Sequence, residues 1–366
     1  MRTFAKDHYR VIQCATGNQG RFSLDMITGG HHPHLDLVGC WVHSQEKAGR
    51  DAGLVAGLER EVGVETSADL DVLLARGADC VIYSGFWSDV DLFCRVLEAG
   101  INVATQVGAV FMKPGRRRAR IEEACVRGGS TFYAGGINTG FFSDRLAASL
   151  TTLNGEVEHV TVVEYSPGSL TGLSDYMIFE GMGFGWSKER LATEQPALFA
   201  TLNDSAMFAG GDFIGAALGF TIDDQAAEHE FVMTDHDIEA YGRTLAAGTV
   251  GGVRTTYRMS SEGVERVCYQ QAWTIDTGVH SGWEHEAHPN AFYQLRVVGK
   301  PSYNVYWEPD GDGMYDALYS TAASIVNAVP WVCDAPAGIH TQLDLPMISF
   351  SGDLTTPTVN GPADSV

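Results

Sequence analysis

CATGNQGRFS, residues 14–23, follows the apolar run Val11-Ile12-Gln13 and has the form of a phosphate-binding turn. Gly17 and Gly20 sit where a G-x-G-x-x-G fingerprint has glycines, and Ala15 stands in an outer place where that pattern has another. Between a strand and a helix, such a turn lets backbone N–H groups approach a pyrophosphate that the helix dipole also favours. The same glycines would serve a plain strand-to-helix corner, because turns use glycine wherever a positive φ is needed. The segments beyond the turn decide between the two, since a dinucleotide site needs a β-α-β unit around it.

Strand-like and helix-like segments alternate over the first 140 residues. Strands are predicted at 9–15, 35–42, 80–84 and 102–105, and helices at 21–28, 69–76, 89–99 and 116–127. This alternation implies parallel crossovers and a doubly wound sheet whose ligands sit at the strands' carboxyl ends. The loops at 16–20, 43–50, 84–88 and 105–115 are therefore the ones to examine. Beyond residue 150, segments 157–165, 250–260, 267–274 and 293–298 alternate or carry β-branched and aromatic residues, as a mainly antiparallel sheet requires. Helices are predicted at 196–218, 236–247 and 315–329, the last packing back on the first domain. The Gly-, Pro-, Thr- and Asp-rich end is expected to be loose. The fold class is thus α/β, with a second, α+β domain.

Gly17 and Gly20, with Asn18, Gln19 and Arg21 around them, form the expected phosphate turn, and Ser84 stands at another strand tip. An NAD site would place an acid at the end of the second strand to hold the ribose 2′-hydroxyl. WVHSQEKAGR, residues 41–50, puts His43 and Ser44 there instead, with Lys47 and Arg50 beyond. Together with Arg21 these groups suit a 2′-phosphate, so NADP(H) is preferred and NAD(H) remains possible. A solvated basic turn is the plainer alternative.

Composition narrows the partners. The formal charge of −22 opposes nucleic acid and anionic membrane, and no apolar run is long enough to span a bilayer. The polar start lacks the form of a signal peptide, so a cytoplasmic protein is expected. Seven cysteines without a C-x-x-C pair read as reduced thiols.

VIQCATGNQGR, LVGCWVHSQEKAGRDAG, GADCVIYS, AGINVATQ and GGINTGFFSDRL, with STAASIVNAVPWVCDAPAGIHTQLDLP near the end, resemble the dihydrodipicolinate-reductase-like dehydrogenases. The branch is that of 2,4-diaminopentanoate dehydrogenase and the native amine dehydrogenases. The resemblance implies a Rossmann domain over 1–145, a substrate and dimerisation domain over 146–314, a segment 315–350 returning to the first domain, and a loose tail over 351–366. It also implies a homodimer, and hydride exchange between a nicotinamide cofactor and a C–N bond. The E-x-H-H-x-x-K motif of true dihydrodipicolinate reductases is absent. The glutamate that handles the amine proton in amine dehydrogenases is matched here by Gln106, which can orient a substrate but cannot exchange a proton. Reduction of a C=O or activated C=C bond, or a cofactor-binding sensor without catalysis, are the alternatives this opens.

Asn138, in the glycine-rich hinge GGINTGFF, is a candidate for the nicotinamide carboxamide or a substrate heteroatom, or else a turn former. Glu164 and Tyr165 either line the substrate pocket or merely finish a strand. MIFEGMGFGW, residues 177–186, offers Met182 and Phe184 as an apolar pocket or lid, or as a buried arm of a dimer. HSGWEHEAH, residues 280–288, lacks the H-E-x-x-H spacing, so no metal is expected, but His285 could donate a proton. HHPH at 31–34 reads as a solvated loop, and GRRRAR at 115–120 as a solvent or interface patch.

Overall fold

The computed structural model describes residues 4–201, 206–283, 288 and 290–354. The first sheet is built from β1 (Tyr9–Cys14), β2 (Leu35–Trp41), β3 (Thr66–Ser67), β4 (Cys80–Tyr83), β5 (Asn102–Thr105) and β6 (Thr131–Ala134). Between them run α1 (Asn18–Thr28), α2 (Ala52–Val55), α3 (Leu70–Leu74), α4 (Val90–Glu98) and α5 (Arg116–Gly128). Helices cover both faces, which is why β4 and β6 are buried along their whole length. Asp69 and Asp89 start α3 and α4 by accepting backbone N–H bonds from the first helical turn.

A hinge at 135–146 leads through α6 (Ala147–Leu150) into the second sheet. Its strands are β7 (Glu156–Ser166), β8 (Asp224–Met233), β11 (Val250–Ser261), β12 (Val264–Thr274), β13 (Tyr293–Lys300) and β14 (Tyr303–Trp307). The spatial order is β14-β13-β7-β12-β11-β8, antiparallel except for the β7–β12 pair. The helices α7 (Lys188–Leu191), α8 (Ala197–Thr201) and α9 (Phe208–Leu218) lie between β7 and β8 in the chain. Helix α10 (Gly313–Cys333) then returns to the first domain, where β15 (Gly338–His340) pairs with β6. Ala322, Ile325, Val326, Val329 and Val332 of α10 recur at helical spacing, and all are buried beside β1 and β4. The parallel sheet therefore has seven strands, ordered β15-β6-β5-β4-β1-β2-β3.

The expected α/β class, with a doubly wound parallel sheet and a second α+β domain, matches this architecture. The helix expected at 236–247 is instead a hairpin of β9 (Ile238–Ala240) and β10 (Arg243–Leu245). Tyr241 and Gly242 both take positive φ, 54° and 70°, which suits a two-residue hairpin turn and breaks a helix. The loop HHPH is less open than expected: His32 is buried, bonded at 3.3 Å to Asn327 on α10. Six of the seven cysteines are buried, and all seven are free thiols. No helix among the described residues is long and apolar enough to cross a membrane.

Candidate active site

The turn after β1 is shaped by close backbone approach. A Cβ on Gly20 would lie 2.1 Å from the Ala15 carbonyl oxygen, so α1 can meet the strand only without a side chain there. Ala15 itself takes φ 74°, the left-handed conformation that the fingerprint ordinarily gives to glycine. Gly17 is different. It has φ −70°, with nothing within 4 Å of where a Cβ would be, and it caps α1 without any side-chain bond. The helix thus presents open backbone N–H groups across a bare glycine, which fits a dinucleotide pyrophosphate.

The neighbouring side chains brace the turn. Asn18 donates to the Gly172 carbonyl of the second domain, and Gln19 donates to Leu318 O on α10 at 3.1 Å. Buried Gln13 donates to Ala15 O and to Ser84 Oγ, both at 3.0 Å, tying the tips of β1 and β4 together. The loop after β2 carries His43, Lys47 and Arg50 exposed and Ser44 half-buried, while Arg21 is exposed on α1. Ser44 Oγ accepts from Glu46 N at 3.3 Å and so starts the short turn that bears Lys47. Among the described residues, Arg21, Lys47 and Arg50 make no ion pair, and their charges remain uncommitted.

Gln106 and Asn138 follow the carboxyl ends of the adjacent strands β5 and β6, where Thr105 pairs with Ala134. Both amide atoms of Gln106 are buried without a bond partner, as is Asn138 Oδ1. Buried amides are ordinarily satisfied, so these atoms carry hydrogen-bonding capacity that the described residues do not use. Asn138 Nδ2 is already used: it donates at 2.8 Å to Glu164 Oε2.

Glu164 is a buried carboxylate of the second domain. It is only 5% exposed, and register places Gln271 of β12 and Tyr293 of β13 beside it on one face of three neighbouring strands. Tyr293 donates to Oε2 at 2.9 Å, Gln271 to the same oxygen at 3.5 Å, and Trp273 Nε1 to Oε1 at 2.8 Å. Burial raises its pKa above the usual carboxylate value, and the four donors act in the opposite direction. No lysine, arginine or histidine pairs with it among the described residues. Tyr293 also stacks on Phe142 of the hinge at 4.5 Å, so this face of the sheet looks toward the first domain. Nearby Asp144 is buried too, accepting from Gly140 N at 2.6 Å, and burial pushes its pKa up to about 6.

Gln271 and Trp273, with Thr255, give polar groups to the wall of a cavity of about 130 Å³. Met177, Met182, Leu198, Met207, Val253 and Tyr257 supply most of its apolar wall. Met182 lines this cavity, while Phe184 is buried in the core and does not line it. Tyr165 parts from Glu164 by the alternation of a strand: it lines a separate hollow with Ser169, Phe292 and Asp312. His285 lies outside the described residues. A larger hollow of about 710 Å³, lined by Val157, Thr221 and Arg266, shares no residue with the hinge or the strand tips.

The sequence reading missed three contributors. Trp273, Gln271 and Tyr293 were seen as strand residues only, although Gln271 and Trp273 stand two apart in YQQAWT and so share a face. Arg117, in the run read as a solvent or interface patch, is half-buried and donates to Ser88, in the loop after β4. Phe86 of that loop packs edge-on against Trp87 at 4.7 Å and Tyr176 of the second domain at 6.0 Å, an exposed aromatic rim spanning the two domains.

A parallel sheet with an open phosphate turn, joined through a hinge to a sheet that carries a buried carboxylate, defines an NAD(P)-dependent oxidoreductase. Residues 144–356 match the model of the 2,4-diaminopentanoate dehydrogenase C-terminal domain, and the chain belongs to that family. It is 24% identical to a curated amine dehydrogenase of Streptomyces virginiae, over 94% of this chain and 98% of that protein. Among solved structures it resembles the amine dehydrogenase from Mycobacterium smegmatis, with a TM-score of 0.75 and 18% identity, covering 95% of this chain and 99% of that one. The myo-inositol dehydrogenase from Lactobacillus casei, solved with NAD(H) and myo-inositol, shares the fold at a TM-score of 0.55 and 13% identity, over 91% of this chain and 89% of that one.

Proposed function

We propose that the chain is an NADP(H)-dependent oxidoreductase that oxidises an amine or reduces an imine of a small to medium, largely apolar substrate. The observation that carries this reading is the buried, unbonded amide of Gln106, set with Asn138 Oδ1 at the tips of β5 and β6. Both amides offer hydrogen bonds at the place where a doubly wound sheet presents its ligands. Similarity to proteins named amine dehydrogenases supports a C–N bond as the target. The apolar cavity beside Trp273 supports an apolar substrate body.

Gly17 and Gly20 would hold the pyrophosphate at the start of α1, with Ser84 at the neighbouring strand tip. Arg21, Ser44, Lys47 and Arg50 would hold a 2′-phosphate. When bound, the nicotinamide supplies a hydride acceptor or donor; Gln106 and Asn138 orient the reacting groups. A panel of apolar primary amines incubated with NADP+ tests the reading, and formation of NADPH is the expected result. The cofactor preference is tested separately: Arg21→Ala and Lys47→Ala should weaken NADPH far more than NADH, whereas equal losses contradict a 2′-phosphate site.

The amide at position 106 also favours a second reading, reduction of a C=O or activated C=C bond, which needs no amine-directed acid. Oxidation of NADPH by ketones or enones without ammonia, and no reaction with amines, would select it.

A further inference from the structure

We propose that Glu164, on the second domain, binds the substrate nitrogen and exchanges its proton, the task that the amide of Gln106 cannot perform. The inference rests on the proposed C–N chemistry and deepens it by naming the group that handles the ammonium.

Three observations converge on this residue. First, Glu164 is a buried carboxylate surrounded by neutral donors: Asn138 from the hinge, Gln271 and Trp273 from β12, and Tyr293 from β13. Tyr293 is the titratable group facing it, and no cation lies within ion-pairing distance among the described residues. A buried carboxylate of this kind is electrostatically incomplete, and an ammonium or iminium supplies the missing charge. Second, the bonds are shared unequally. Among the described residues, Oε2 takes those from Asn138, Tyr293 and Gln271, whereas Oε1 takes only the Trp273 bond and keeps an acceptor position beside that indole. Third, Trp273 and Gln271 line the apolar cavity, so a substrate body seated there carries its nitrogen toward Glu164. Asn138 connects the carboxylate to the hinge that follows β6.

The proton step balances without a further reagent. A substrate ammonium loses one proton to Glu164 Oε1, so an N–H bond breaks, an O–H bond forms and the carboxylate becomes a neutral acid. The nitrogen lone pair so released forms the C=N bond as the carbon loses hydride, with both electrons of the C–H bond passing to the oxidised nicotinamide. The iminium then faces the carboxyl group, which returns its proton to water before the next turnover. Asn138, Gln271 and Tyr293 are positioning residues: they hold Oε2 and leave Oε1 to react.

Two measurements on the full chain test this. In the first, the enzyme loaded with reduced cofactor, which cannot turn over an amine, is titrated with sec-butylamine or its neutral counterpart 2-butanol, and the thermal midpoint is read. Wild type should be stabilised more by the amine, and Glu164→Gln should lose that preference while still binding the cofactor. In the second, kcat/KM for amine oxidation is followed against pH. Glu164→Gln should lower it roughly 10²- to 10⁴-fold, as removal of an acid–base group does. Tyr293→Phe removes a donor that holds the carboxylate pKa down, so the acidic limb should move to higher pH. A folded Glu164→Gln enzyme within threefold of wild type would overturn the inference, and so would an unmoved acidic limb in Tyr293→Phe if Glu164→Gln does not fold. Absence of amine oxidation in the wild type would instead remove the C–N reading itself.

Discussion

Two glycines three residues apart in the phosphate turn have different physical roles and should fail differently. Gly20 cannot accept a Cβ, because the Ala15 backbone occupies that space. Gly20→Ala should therefore destabilise the fold by about 1–3 kcal/mol, as overpacking does. Gly17→Ala meets nothing and needs no unusual φ, so its thermal midpoint should stay near that of wild type while cofactor affinity falls. Thermal melts paired with cofactor titrations of both variants check this. Asp144 gives a pH prediction of its own. Its folded pKa is raised by burial from 3.8 to about 6, so the folded state binds the proton more tightly than the unfolded state. That contribution is fully present below the unfolded pKa and is lost as pH rises through about 6. Asp144→Asn should lack this loss, and between pH 4 and 7 its stability relative to wild type should improve by about 2–3 kcal/mol. Denaturant midpoints of the pair across that range measure it, and parallel curves would contradict it.

At the scale of elements, most of the strands that were legible in the sequence have neighbours on both sides, although the four-residue β6, buried between β15 and β5, was missed. β1, β2, β4 and β5 read as apolar runs between helices, and β7, β11 and β12 as alternating or β-branched stretches, because burial on one or both faces imposes those patterns. β8 and β14 escaped because they are the edges of the second sheet, where exposed positions let polar residues interrupt the pattern, as in DQAAEHEFVM. The β9–β10 hairpin was read as a helix because its turn is made by Tyr241-Gly242, a pair whose left-handed backbone only the structure reveals. In the candidate site, the phosphate turn and Glu164 were visible as residues, but the convergence of Trp273, Gln271 and Tyr293 on Glu164 depends on strand register. The loop bearing Gln106 is also tied across the domains, by Lys113 to buried Asp212 on α9 at 3.0 Å. Because Lys113 is half exposed, a double-mutant cycle of Lys113→Met with Asp212→Asn should show a coupling of about 1 kcal/mol, and no coupling would mean that the clasp is incidental.

For the molecule as a whole, a charge of −22 repels an anionic cofactor at long range, so the proposed NADPH binding rests on the local cations near the turn and the second strand. NADPH affinity should accordingly fall with added salt more steeply than NADH affinity, which a pair of titrations at low and high ionic strength would reveal. In the proposed site each domain brings what the other lacks: the parallel sheet carries the glycine turn and Gln106, while the antiparallel sheet carries the carboxylate and the apolar cavity. The most direct measurement is the stoichiometry of reaction with NADP+ and a primary amine such as sec-butylamine, following reduced cofactor and free ammonia together. Equal amounts of NADPH and ammonia are expected; an enzyme that binds NADPH yet forms neither product with any amine of the panel would contradict C–N oxidation at this cleft.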